Sequence, residues 1–132
     1  MERNIYGVHH IALKACGVEA YTKLVNFYHE VLGLPVVRTW GAGEAAGCML
    51  DTGAGLLEFF ANGTDYPGQG AIRHMAFAVK DVDACVAAVR SAGYEITMEP
   101  VDIVIQSEVP YPVRIAFCIG PVGEEVEFFA EK

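Results

Sequence analysis

The stretch HHIALK, at residues 9–14, decides the fold of this chain, because a version of it returns in the second half. Residues 73–77 read RHMAF, and the two stretches align His10 with His74. Each is a histidine followed by apolar residues in alternation with small ones, which is typical of a β-strand with one buried face.

A second stretch is also written twice. Residues 56–61 read LLEFFA and residues 125–130 read EVEFFA, so that Glu58 aligns with Glu127. The chain is therefore a repeat of about half its length, and each copy carries one histidine and one glutamate at matching places.

The segments between these stretches follow the same order in both halves. Gly33 and Gly93 end the two helices, and Asp81 is the predicted N-cap of the second. Residues 100–112 are the least regular part, with a loop expected at 110–112 and an optional short strand at 103–105. The pattern predicts an α+β fold of two βαβββ modules, at residues 1–65 and 66–132. The predicted elements are strands at 7–14, 36–40, 47–51, 55–61, 72–80, 94–98, 113–119 and 125–130, and helices at 18–32 and 82–92.

Composition bounds the function. The 132 residues are 53% hydrophobic and 20% charged, which is ample for a buried core. Nine basic against 17 acidic residues give a formal charge of 9 − 17 = −8, which disfavours nucleic acid and anionic membranes as partners. We expect no membrane span and no signal peptide. The four widely spaced cysteines are interpreted as reduced thiols of a cytoplasmic protein.

In each module, strand alternation predicts which face of the sheet carries the histidine and the glutamate. Alternation puts His10 on the face opposite Ile11, and it puts His74 opposite Met75. Burying a lone carboxylate costs several kcal/mol, yet a glutamate recurs inside an apolar strand in both copies. One divalent cation would compensate both charges. Mixed nitrogen and oxygen donors suit Zn²⁺, Ni²⁺, Co²⁺, Mn²⁺ or Fe²⁺ better than Ca²⁺.

Taken singly, each of the four residues has an ordinary explanation, such as a surface histidine or an exposed glutamate. Only their recurrence in the repeat favours a metal site. For five other side chains, packing in the core or on the surface is the preferred interpretation over a role in lining a substrate pocket. These are Tyr28, Trp40, Tyr66, Tyr111 and Arg114.

The chain resembles the glyoxalase I / bleomycin-resistance / extradiol-dioxygenase family, the vicinal oxygen chelate superfamily. The similarity covers nearly the whole chain and includes HHIALK, FYHEVLGL, LLEFFANG, RHMAFAVKDVD and GPVGEEVEFF. The resemblance implies paired βαβββ modules whose curled sheets form a cavity holding one metal ion. The metal ligands that it implies are His10, Glu58, His74 and Glu127, with His9 as the competitor of His10.

A His-Glu-His-Glu set is closest to bacterial-type glyoxalase I. Asn62 and Lys14 fall where that enzyme contacts the glutamyl group of glutathione, although it has arginine in place of Lys14 and an aromatic residue in place of Gly63. The resemblance thus implies a nickel- or zinc-dependent lyase or isomerase. Its reaction would be a proton transfer through a metal-bound ene-diolate, on a thiol hemithioacetal or a related 2-oxo substrate. Glu127 is the expected base and Glu58 the second candidate.

Two other functions stay open. One is a small-molecule binding or resistance protein of the same fold, and the other is an acyl-CoA epimerase. The expected partner is a small molecule, and the resemblance favours a homodimer. The site could lie within one chain or be shared between two chains that exchange modules.

Overall fold

The structure is a computed structural model that describes residues 3–65 and 70–132. The chain divides into two compact units, Met1–Tyr66 and Pro67–Lys132. Each unit contains one four-stranded mixed sheet and one principal helix, so the predicted α+β fold of two βαβββ modules is confirmed.

The first unit consists of β1 (His10–Lys14), α1 (Val18–Asn26), β2 (Val36–Trp40), β3 (Gly47–Asp51) and β4 (Leu56–Phe60). Its strands form a sheet in the order β1-β4-β3-β2. Strands β1 and β4 are parallel, and the other neighbours are antiparallel. The parallel pair requires a crossover, which the helix and the two strands between them supply.

The second unit consists of β5 (Met75–Ala78), α2 (Val82–Ser91), β6 (Ile96–Ile105), β7 (Tyr111–Ile119) and β8 (Glu125–Glu131). It has the same connectivity, with a sheet in the order β5-β8-β7-β6. Strands β5 and β8 are parallel, as β1 and β4 are. The structure therefore repeats the topology as well as the sequence.

One face of each sheet carries the core. In the first unit Leu24, Tyr28 and Phe59 are fully buried, and the rings of Tyr28 and Phe59 lie 5.2 Å apart. In the second unit Val89 of α2 and Phe128 of β8 are equally buried. The apolar residues whose alternation predicted the strands are therefore the residues that face the helices.

The helix ends agree with the predicted signals, but the first helix changes geometry. Gly33 and Gly93 adopt φ values of 78° and 90°, which glycine tolerates best. The Asp81 carboxylate accepts a hydrogen bond from the backbone N–H of Ala84 at 3.0 Å. The α-helix α1 stops at Asn26, and Phe27–Val31 continues as a π-helical turn instead of the predicted α-helix.

The predicted irregular region, 100–112, is mostly strand, and the expected loop at 110–112 is wrong at Tyr111 and Pro112, which begin β7, while Pro110 does lie in the loop. Strand β6 continues through Pro100, but its pairing register with β7 shifts on both sides of Met98. Proline is tolerated there because β6 is an edge strand of its sheet. Pro112 is the second residue of β7, where a missing N–H removes little of the ladder.

The four cysteines are all free thiols, as predicted, and two of them are buried in the core. Burial raises the pKa of the Cys118 thiol to about 12 and also raises the pKa of Cys48. We expect an aromatic disulfide reagent at pH 8 to modify Cys16 first and to reach Cys48 and Cys118 only as the protein unfolds, because the thiolate is the reacting form. Mass mapping of the labelled peptides over time checks this order, and early labelling of Cys118 would contradict it.

No helix within the described part of the chain is long and apolar enough to cross a membrane.

Candidate metal centre

Backbone register places a histidine and a glutamate on the same face of neighbouring strands in each sheet. In the first unit Ala12 of β1 pairs with Glu58 of β4. In the second unit Ala76 of β5 pairs with Glu127 of β8. Since residues two apart share a face, the histidine that precedes each alanine by two positions lies on the face of the glutamate.

The first pair is His10 and Glu58. The Nε2 atom of His10 lies 3.4 Å from Oε1 of Glu58, and the two side chains are 39% and 15% exposed. His10 opens β1, so its ring stands at the end of the strand while Glu58 lies in the middle of β4. Strand order thus brings one imidazole nitrogen to one carboxylate oxygen.

The second pair is His74 and Glu127, with Nε2 of His74 3.1 Å from Oε1 of Glu127. His74 comes directly before β5, and its ring meets that of Phe117 edge-on at 5.4 Å between centroids. Among the residues that the structure describes, Glu127 is the only charged residue that is buried, with 7% of its surface exposed. Burial raises the pKa of its carboxyl group, and nearby Glu125 adds to the rise, while His74 opposes it.

These atoms fit a divalent metal ion of the predicted kind. Two ligands bonded to such an ion at about 2.0–2.1 Å lie about 2.9 Å apart at a right angle and about 3.4 Å apart at a tetrahedral angle. The observed nitrogen–oxygen separations are 3.4 Å and 3.1 Å, within that interval. Imidazole and carboxylate are donors that Zn²⁺ and Ni²⁺ accept.

Each unit supplies half of the predicted ligand set. Among the residues that the structure describes, no group of three or more His, Cys, Asp or Glu side chains is arranged to hold an ion, so the four-ligand centre stays a prediction. Of the two adjacent histidines, His10 rather than His9 faces Glu58.

The predicted substrate-binding residues, Lys14 and Asn62, lie at or just beyond the ends of the strands that carry the first histidine–glutamate pair. Lys14 ends β1 and pairs with Phe60 of β4, and Asn62 lies two residues beyond Phe60, in a bridge with Cys16. The two residues thus come to the same end of the sheet. A Cβ atom on Gly63 would lie 2.9 Å from the backbone oxygen of Ala15, so the aromatic residue of glyoxalase I has no room there.

Three of the aromatic pocket candidates pack or form hydrogen bonds instead. Tyr28 is completely buried in the core. The indole of Trp40 covers Gly47, where an added Cβ would lie 2.3 Å from it, and Tyr111 donates a hydrogen bond to Glu131. Tyr66, the fourth candidate, lies outside the described residues.

Arg114 is also committed to a structural role. Its guanidinium donates to both carboxylate oxygens of Asp83, at 2.7 and 2.9 Å, and to Asp102 at 3.1 Å. These bonds lower the pKa of Asp83, and Lys132 together with Arg114 lowers that of Asp102. Arg114 is therefore occupied by ion pairs with Asp83 and Asp102 rather than positioned to bind a substrate anion.

Sequence reasoning missed Glu125 as part of this region. One of its carboxylate oxygens lies 3.7 Å from Nδ1 of His74, while Nε2 of the same ring lies 3.1 Å from Glu127. Strand parity was the available signal, because Glu125 and Glu127 are two residues apart in β8 and share a face.

The comparisons with known proteins agree with this architecture. A sequence model of the Glyoxalase/Bleomycin resistance protein/Dioxygenase superfamily matches residues 7–112. A search of curated proteins gave no significant match.

Solved structures provide whole-chain matches. A Bacillus anthracis protein assigned to the glyoxalase family is 22% identical, with a TM-score of 0.72 over 100% of both chains. A glyoxalase family protein from Enterococcus faecalis is 25% identical, with a TM-score of 0.65 over 92% of this chain and 95% of that one. The trypanothione-dependent glyoxalase I of Leishmania major is 25% identical, with a TM-score of 0.66 over 92% of this chain and 84% of that one. On the family match, which covers most of its length, the chain belongs to the glyoxalase/bleomycin-resistance protein/dioxygenase superfamily.

Proposed function

We propose that this protein is a metal-dependent lyase or isomerase of the glyoxalase I type. The observation that carries the proposal is the repeated imidazole–carboxylate pair, His10 with Glu58 and His74 with Glu127, at the same register in both sheets. Four such donors suit one ion, Zn²⁺ or Ni²⁺ before Co²⁺, Mn²⁺ or Fe²⁺, and a glutamate that acts as the base would have to loosen from it. When bound, the ion supplies a Lewis acid that polarises a substrate carbonyl and stabilises the negative charge developing on its oxygen.

Glu127 is the proposed base. It removes the proton from the hemithioacetal carbon and returns it to the adjacent, former carbonyl carbon, while the hydroxyl proton of the first carbon passes to the oxygen of the second. The carbonyl thereby moves to the carbon that bears sulfur, and a 2-hydroxy thioester results. Its burial favours this role, because a carboxylate with a raised pKa binds a proton more strongly than an exposed one. Glu58, the second candidate, is more exposed and lies in the equivalent place.

Lys14 and Asn62 are the proposed contacts to the thiol part of the substrate. Lysine presents a point charge rather than the planar fork of arginine, so it selects a carboxylate less strictly. Gly63 lies too close to the backbone of Ala15 to carry a side chain, so the adjoining aromatic contact of glyoxalase I is missing here. These two departures favour a thiol other than glutathione, and the Leishmania relative, named as trypanothione-dependent, is an example within the same fold.

The test is metal analysis of protein purified without added metal, followed by a substrate screen. We expect one Zn²⁺ or Ni²⁺ per chain and isomerisation of methylglyoxal hemithioacetals formed with several thiols, read as thioester absorbance. Epimerisation of 2-acyl thioesters, read by proton exchange into D₂O, would assign the protein to the epimerases instead. Tight binding of a small molecule with no turnover by the metal-loaded protein would favour the binding protein.

We further propose a homodimer in a reducing compartment, supported by the family and by the four free thiols. Light scattering on the metal-loaded protein at several concentrations reports the assembly directly.

A further inference from the structure

We propose that His9 and Glu125 are positioning residues that hold the rings of His10 and His74, so that each Nε2 faces its glutamate. This inference rests on the proposed metal centre and adds two residues to it. Neither is a ligand in the proposal. Each acts on the Nδ1 atom of its histidine ring, whereas the Nε2 atom faces Glu58 or Glu127.

The first contact joins the two adjacent histidines. The Nδ1 atoms of His9 and His10 lie 2.9 Å apart, and their rings are nearly perpendicular, at 85°. A neutral imidazole has one donor and one acceptor nitrogen, so one of the two rings must donate across this contact. When His10 donates, its Nε2 keeps a free lone pair toward Glu58, as a metal ligand requires.

The second contact joins His74 to a carboxylate. Oε1 of Glu125 lies 3.7 Å from Nδ1 of His74, while Nε2 points to Glu127 at 3.1 Å. Glu125 lies beyond hydrogen-bond distance, so its charge attracts a proton onto Nδ1 electrostatically, against the attraction of Glu127 on Nε2. Phe117 contacts the ring edge-on. Histidine ligands of metals in proteins commonly have such an acceptor on the second nitrogen.

Comparison of the two halves shows that His9 and Glu125 are alternatives, because neither residue has a counterpart of the same kind in the other half. His9 aligns with Arg73, a side chain that has only donors. Glu125 aligns with Leu56, which has no polar side-chain atom. Each unit thus has one acceptor beside its histidine, supplied from the preceding residue in one case and from the neighbouring strand in the other. Register agrees, because His10 pairs with Leu56.

The experiment compares His9→Leu and Glu125→Leu with the parent protein. Zn²⁺ affinity is measured by competition with a chromophoric chelator, and long-range ¹H–¹⁵N spectra report the tautomers at one fixed pH. We expect a roughly 10–100-fold weaker affinity for each variant with unchanged stoichiometry. In zinc-free protein, the Nδ1–H fraction of His10 should fall in the first variant and that of His74 in the second.

Two rescues separate positioning from general damage. His9→Gln keeps an acceptor and should recover most of the affinity. The double change His9→Arg with Leu56→Glu copies the second unit into the first and should do the same.

The proposal is overturned if neither tautomer fraction changes, or if His9→Leu abolishes binding as His10→Ala does, since His9 would then be the ligand. If the parent protein binds no zinc, the metal proposal fails, while the tautomer fractions in zinc-free protein still decide whether the two residues position the rings.

Discussion

Replacing Glu127 by Gln is expected to lower kcat by roughly 10²–10⁴-fold, while KM changes much less. The amide fills the same space but cannot accept the substrate proton. The change should also weaken metal binding, so turnover is measured at saturating metal and reported per bound ion. Glu131→Gln is the matched control, because it makes the same chemical change at the exposed end of β8, where the amide oxygen can still accept from Tyr111.

Stability distinguishes loss of the base from loss of the fold. Burial holds the pKa of Glu127 above its ordinary value, so its folded-state contribution is greatest at low pH and is lost as the pH rises through that raised value. At neutral pH the metal-free Glu127→Gln variant should therefore unfold at the same or a higher urea concentration than the parent. Turnover that survives in this variant would reject Glu127 as the base and transfer the role to Glu58.

Replacing Phe59 by Ala should lower the free energy of unfolding by about 3–5 kcal/mol. Phe59 is completely buried and packs against Tyr28 on the helix side of the first sheet. The substitution removes most of a large apolar side chain and leaves a cavity that the rigid core closes only in part. Urea unfolding, followed by circular dichroism, measures the change.

The neighbour in the same strand is the control. Phe60 points to the opposite face, is only half-buried and lies 6.0 Å from Trp40 between ring centroids. Phe60→Ala should cost less than half as much as Phe59→Ala, while it alters the surroundings of Glu58. Equal costs at the two positions would mean that the core is not restricted to the helix face of this sheet.

Much of this structure follows from residue alternation. The period of two in HHIALK and LLEFFA was enough to predict which face His10 and Glu58 share, because a strand allows no intermediate orientation. The helix stops at Gly33 and Gly93 were equally local, since both need a backbone angle that other residues resist.

Other features depend on contacts that are distant in sequence. The π-helical turn Phe27–Val31 repeats apolar residues much as an α-helix does, so the pattern does not separate the two. Strand β6 passes through Pro100 only because β7 pairs with it on one side and its other edge is free of the sheet. The role of Glu125 depends on which way the ring of His74 turns, and spacing alone does not give this.

The equal register of the two sheets also determines where the chain can change in length. One residue inserted between His10 and Ala12 would turn the histidine to the helix side and separate it from Glu58, although every original side chain would remain. An insertion at the tip of the hairpin between β6 and β7 shifts no strand that carries a proposed ligand. Laboratory evolution of this protein should therefore accept insertions at residues 106–110 and reject them in β1, β4, β5 and β8, even where the inserted residue suits a strand.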